Sequence, residues 1–159
     1  MSSPNDQPPP TPRPAATVML VRDDPESPGG SSVFLMRRHS AMEFAAGVTV
    51  FRDTYFFVGA LPEGQRADGE NTESDSAGWT TPQAAIDDFA GGRCFLLPPT
   101  WTQLDSLAGR TVADVSAVER QIVTVQPNLQ IDGDTWVFEF FGSDRYHRAR
   151  KAGGLGWRL

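Results

Sequence analysis

Four short apolar runs precede the first helix signal in this chain, and that order limits what it can fold into. They are Thr17-Val18-Met19-Leu20-Val21, then Val33-Phe34-Leu35-Met36, then Gly47-Val48-Thr49-Val50-Phe51, then Thr-Tyr-Phe-Phe-Val-Gly-Ala-Leu over residues 54–61. Each is strand-length and rich in β-branched or aromatic residues, so each predicts a strand. The first is apolar throughout, as expected of a strand covered on both faces. Residues 23–32 hold Pro25, Pro28, Gly29 and Gly30 and predict a turn.

Helix signals follow. Thr81 reads as an N-cap, Pro82 as the first helical residue and Gly91-Gly92 as a stop, with Ala85, Ile86 and Phe89 on the buried side. Thr100 with Gln103 reads as a capping box, ended by Gly109. Thr111 caps a third helix, whose apolar stripe is Val112, Val115, Val118 and Ile122. Asp132-Gly133 then predicts a hairpin turn between 129–131 and 134–141. Strands, then helices, then a hairpin imply a mixed sheet covered by helices, an α/β or α+β domain.

The ends read differently. Residues 1–14 carry six prolines and predict a disordered, partly polyproline tail. The folded domain is expected over 15–146. Residues 147–159 read as a basic tail, continuing the acid-free run from 145 that carries Arg145, Arg148, Arg150, Lys151 and Arg158. Between 62 and 78 lies an acidic stretch with Glu63, Asp68, Glu70, Glu73 and Asp75 against Arg66, expected to be an exposed loop.

Composition narrows function. At 159 residues the chain has room for one domain. A net charge of −6 argues against a general nucleic-acid binder. One cysteine, Cys94, allows no internal disulfide and no cysteine-based zinc site. With two histidines, His39 and His147, a multi-histidine metal site is excluded as well. No apolar run approaches the roughly 20 residues needed to span a bilayer, and the N-terminus has no apolar signal region. The expectation is a cytoplasmic protein with no membrane partner. Phosphate loops and dinucleotide fingerprints are missing from the sequence. Cys94, in Arg-Cys-Phe-Leu-Leu, reads as a structural thiol. Glu70, Glu73 and Asp75 are the remaining oxygen-donor cluster; the plain alternative is a solvated loop.

The apolar segments also carry a resemblance. Residues 15–23, Ala-Ala-Thr-Val-Met-Leu-Val-Arg-Asp, and Val33-Phe34-Leu35-Met36-Arg37-Arg38 followed by 44–51 resemble the opening of the Nudix hydrolases. Within that family they look like the branch related to acyl-coenzyme A diphosphatases. Tyr55-Phe56-Phe57-Val58, then Glu73, Trp79, Thr81-Pro82 and Ala84-Ala85, and then 96–101 with Leu104 resemble its later half. The likeness spans 15–146. It implies a Nudix-like mixed sheet layered with helices and a metal-dependent diphosphatase acting on nucleoside diphosphate-linked substrates, coenzyme A derivatives among them. Magnesium or manganese is the implied cofactor.

The centre of that pattern is missing. The family's box follows a Pro-Gly-Gly turn and places adjacent glutamates on one helix face to bind the metal, which activates water. The glutamates here are Glu26, Glu43, Glu63, Glu70, Glu73, Glu119 and Glu139; none are adjacent, and no Arg-Glu pair occurs. Phe51 runs directly into Arg52, as if the box had been cut out between them. Either the protein lacks the box or a longer natural protein has lost it in this chain. The fold is therefore expected to be incomplete, without its box helix, and the chain inactive as a hydrolase. No residue is assigned a catalytic or metal-ligating role. By resemblance, Arg37, Arg38 and Glu73 remain as candidate substrate contacts, the arginines by bidentate pairing with phosphate. For the arginines the alternative is a strand end meeting solvent. For Trp79 and Trp101 the alternatives are stacking on a base or packing in the core. The expected ligand is a nucleoside diphosphate-type small molecule; a non-catalytic nucleotide- or protein-binding remnant is the alternative.

Losing the box helix has a physical consequence. Each newly exposed Val, Leu or Phe forfeits about 1.5–3 kcal/mol of a domain stability of about 5–15 kcal/mol. The expectation is a marginal monomer, a homodimer that covers the bared face, or an aggregation-prone chain.

Overall fold

A computed structural model of the chain describes residues 11, 13–26, 30–38, 52–70, 74–126, 128–132 and 135–152. Among them the chain is α+β. Strands β1 (Arg13–Asp23), β2 (Ser31–Arg38), β3 (Arg52–Ala60) and β4 (Ser74–Thr80) come first. Helices α1 (Pro82–Ala90), α2 (Pro98–Leu107) and α3 (Val112–Ala117) follow, then β5 (Asn128–Asp132), β6 (Thr135–Glu139) and α4 (Ser143–Ala152). One sheet has the order β3-β1-β2-β4; β5 and β6 form a separate two-stranded sheet. The strand expected at 47–51, the Phe51 side of the suspected junction and Gly133 of the expected turn lie outside the described residues. The chain divides into two compact units, one of residues 1–20 and 34–78, the other of 21–33 and 79–159.

In the first unit the strands alternate. Thr54, Phe56 and Val58 of β3 are half-buried, whereas Tyr55 and Phe57 are 48% and 54% exposed. A Cβ placed on Gly59 would sit 3.7 Å from Val18 Cγ1, which puts Gly59, and with it Phe57 and Tyr55, on the Val18 face. Val18 is 65% exposed. Met36, 56% exposed, shares that face by strand alternation counted outward from the Val21–Val33 pair. An apolar sheet face is thus open to solvent.

The second unit holds the helical core. β1 and β2 pair antiparallel there, Val21 opposite Val33, and both side chains are buried. Helices α1, α2 and α4 pack on one another. Phe89, Trp101, Leu104, Leu107 and Tyr146 are buried among these helices. The Tyr146 ring lies 5.2 Å from Phe89 and 5.7 Å from Trp101, and its hydroxyl donates to the Leu96 carbonyl at 2.9 Å.

Several local expectations shift. β4 replaces the later part of the expected loop; Ser-Asp-Ser-Ala-Gly-Trp-Thr has no apolar alternation, and it is pairing with β2 that makes it a strand. Helix α2 begins at Pro98, with Leu97 at its N-cap and no side-chain cap, so Thr100 sits inside the first turn. The two prolines explain this, because they have no N–H groups for a cap to satisfy. Helix α3 does start at Thr111, with a full capping box to Asp114, but it stops at Ala117. The stripe fails beyond that: Ile122 is 84% exposed and lies outside any helix or strand. β1 starts at Arg13, within the expected tail, and α4 carries regular structure past Tyr146 through Ala152.

Candidate functional site

The residues expected to contact substrate do not form a described cluster. Arg37 and Arg38 are the last two residues of β2; Arg37 is exposed, and only the strand position of Arg38 is described. Glu73 lies outside the described residues. His39 does as well, while His147 sits half-buried on α4 with its ring 5.5 Å from that of Tyr146.

The acidic stretch is a loop over residues 62–70, and its described end from Ser74 belongs to β4. Glu63, Asp68 and Glu70 are exposed, and the Asp68 carboxylate is engaged locally, accepting from the Glu70 N–H at 2.8 Å. Among the described residues, no three His, Cys, Asp or Glu side chains come together to hold a metal ion. Magnesium or manganese needs several oxygens converging on one point, and the described carboxylates offer no such set.

Cys94 reads as structural in the fold too. Its thiol donates weakly to the Ala85 carbonyl at 3.8 Å, and burial, with Asp88 adding, pushes its pKa up and away from a reactive thiolate. Tyr146 is likewise raised, to about 12, by burial. Asp114 is held below the usual carboxylate value by hydrogen bonds from Thr111, the marks of a helix cap. Trp101 is packed in the helical core.

Trp79 has a different setting, one that sequence reading missed. The Arg22 guanidinium lies over its ring, 4.2 Å from the centroid. Arg22 is on β1 and Trp79 on β4, and β2 runs between them. Strands in a sheet are spaced about 4.8 Å apart, so the side chain crosses roughly 10 Å of sheet. Ser32 makes that crossing possible. It is the registered partner of Arg22 on β2, hence on the same face, and it is small. The Arg22 Nε is buried and, among the described residues, has no hydrogen-bond acceptor. The signal in the sequence was a lone cation directly following the apolar run 17–21.

No family model, curated protein or solved structure matches this chain. No helix among the described residues is long and apolar enough to cross a membrane.

Proposed function

We propose that this chain is a Nudix-lineage protein without the catalytic box, which binds a nucleoside diphosphate-type ligand without hydrolysing it. The observation that carries this reading is the open sheet face of Val18, Met36, Tyr55 and Phe57. A sheet that has lost a covering helix should bare such a face. The order of the flanking segments supports the same lineage, and the sequence has no adjacent glutamates of the kind that hold a metal for attack on a phosphoanhydride. A Nudix-like layering of the sheet and a cytoplasmic location belong to this proposal.

The reading is tested in two steps. Tryptic mass mapping of the natural protein should recover the peptide 39–52, which crosses the Phe51–Arg52 junction. The chain should then show no release of phosphate or nucleoside monophosphate from ADP-ribose or coenzyme A with magnesium or manganese. Metal-dependent turnover by this chain overturns the proposal. Longer peptides continuing from Phe51 into Pro-Gly-Gly overturn it for the natural protein and restore the hydrolase.

A further inference from the structure

We infer that residues 121–126 of one copy of this chain add as a strand to the β3 edge of a second copy, and that the exchange is reciprocal. The pairing is independent of any ligand.

The donor is an exposed stretch with the composition of a strand. Residues 118–126 lie outside any helix or strand, and all of them are exposed. Within them Gln121-Ile122-Val123-Thr124-Val125-Gln126 is uncharged, with its four central residues all β-branched. Ile122, Val123 and Val125 are 84%, 69% and 53% exposed. β-branched side chains favour the extended backbone of a sheet, and a run of apolar groups gains by leaving water. A segment of this kind can add to a sheet edge, where main-chain hydrogen bonds hold it and alternate side chains give it a register.

The acceptor is β3. It stands at one end of the sheet order, with β1 as its strand neighbour among the described residues. An edge strand offers a row of N–H and C=O groups to another chain, and natural edges are blunted by charges or proline. Over 54–60 β3 carries neither. In the single chain β3 does not pair with 121–126, which belongs to no strand. A second copy brings each of them the other.

Charge fixes both the occupant and the direction. β3 opens with Arg52-Asp53, and Glu119-Arg120 stands just before the donor. A parallel alignment sets Glu119 opposite Arg52 and Arg120 opposite Asp53, two pairs of opposite sign. The same alignment sets Ile122 opposite Tyr55, Val123 opposite Phe56 and Val125 opposite Val58. Aromatic and β-branched neighbours across strands are favourable pairs. Two copies of net charge −6 repel one another, and in this contact no acid faces an acid. Reciprocal exchange uses the same two surfaces on both copies and so stops at two. It also doubles the buried area, toward the roughly 1,200–2,000 Å² of a stable interface.

Sedimentation velocity of the full chain over a concentration series tests this. A concentration-dependent dimer is expected. Val123→Asp changes an exposed residue outside regular structure, so the fold should survive it, and the chain should become monomeric. Glu119→Arg sets like charges opposite each other at Arg52 and should weaken the dimer several-fold. Adding Arg52→Glu to that variant should restore it. A monomer at every concentration overturns the inference, and so does a dimer that Val123→Asp leaves intact. Failure of Arg52→Glu to rescue Glu119→Arg overturns the parallel alignment. Assemblies that grow beyond the dimer overturn the reciprocal exchange.

Discussion

Phe89 and Phe57 are the same side chain in opposite circumstances. Phe89, on α1, is 1% exposed, stacked on Tyr146 in a unit where three helices pack together. Phe57, on β3, is 54% exposed on a face shared with Tyr55 and Val18. Hydrophobicity does not separate them. What separates them is a second layer: α1 has α2 and α4 against it, and the outer face of β3 has no such cover among the described residues. A strand can satisfy its backbone in a sheet and still leave half its side chains in water, whereas a short helix holds its place chiefly by what it packs against.

The largest effect expected from this contrast is at Tyr146. Tyr146→Ala should remove about 3–5 kcal/mol of stability, the usual loss when a buried aromatic is truncated. Tyr146→Phe keeps the ring and deletes only the bond to Leu96, for about 1 kcal/mol. Urea unfolding measures both. If Tyr146→Ala costs no more than the Phe variant, the helical unit is not packed as described.

A smaller effect is set by pH. The hydroxyl of Tyr146 keeps its proton up to about 12, against 10.0 in an unfolded chain. The unfolded state therefore gives up its proton first as pH rises. The contribution is complete below pH 10 and is lost as pH climbs toward about 12. Tyr146→Phe should flatten this part of the alkaline stability profile. An unchanged alkaline limb in the variant would assign the loss to other groups.

The smallest effect on stability belongs to Phe57. Phe57→Ser should change it by no more than about 0.5 kcal/mol, as surface substitutions do. The same variant sharpens the comparison by a second measurement. If a further copy of the chain covers this face, sedimentation velocity will show wild-type self-association that Phe57→Ser reduces. A costly Phe57→Ser would mean that the face is already covered within the chain.

Much of the fold was legible, because its signals are local. Thr81, Pro82 and Gly91 bound α1 as the sequence indicates, and Thr111 caps α3 as expected. β1, β2 and β3 follow from their apolar runs. What escaped depends on partners distant in sequence. β4 exists because β2 offers it an edge, and nothing in its own residues shows that. The valine stripe beyond Ala117 was well spaced for a helix, but Val118 and Ile122 are exposed, and without packing the spacing is not enough. The helix in α4 was hidden by its charge: Arg145, Arg148 and Arg150 read as a tail, while the anchoring residue among them is Tyr146. Of the candidate contacts, Arg37 and Arg38 fall at the strand end that the sequence indicates, whereas the contact of Arg22 with Trp79 arises only because the sheet brings β1 and β4 to either side of β2.

Gly69 adds a constraint of another kind. A Cβ there would collide with the Cβ of Ala77 and press on the Phe34 ring at 3.2 Å. Around it, an exposed acidic stretch can exchange Glu63, Asp68 or Glu70 for other polar residues without disturbing any packing. The charges of this loop face water, but at Gly69 a side chain has no room beside Ala77 and Phe34.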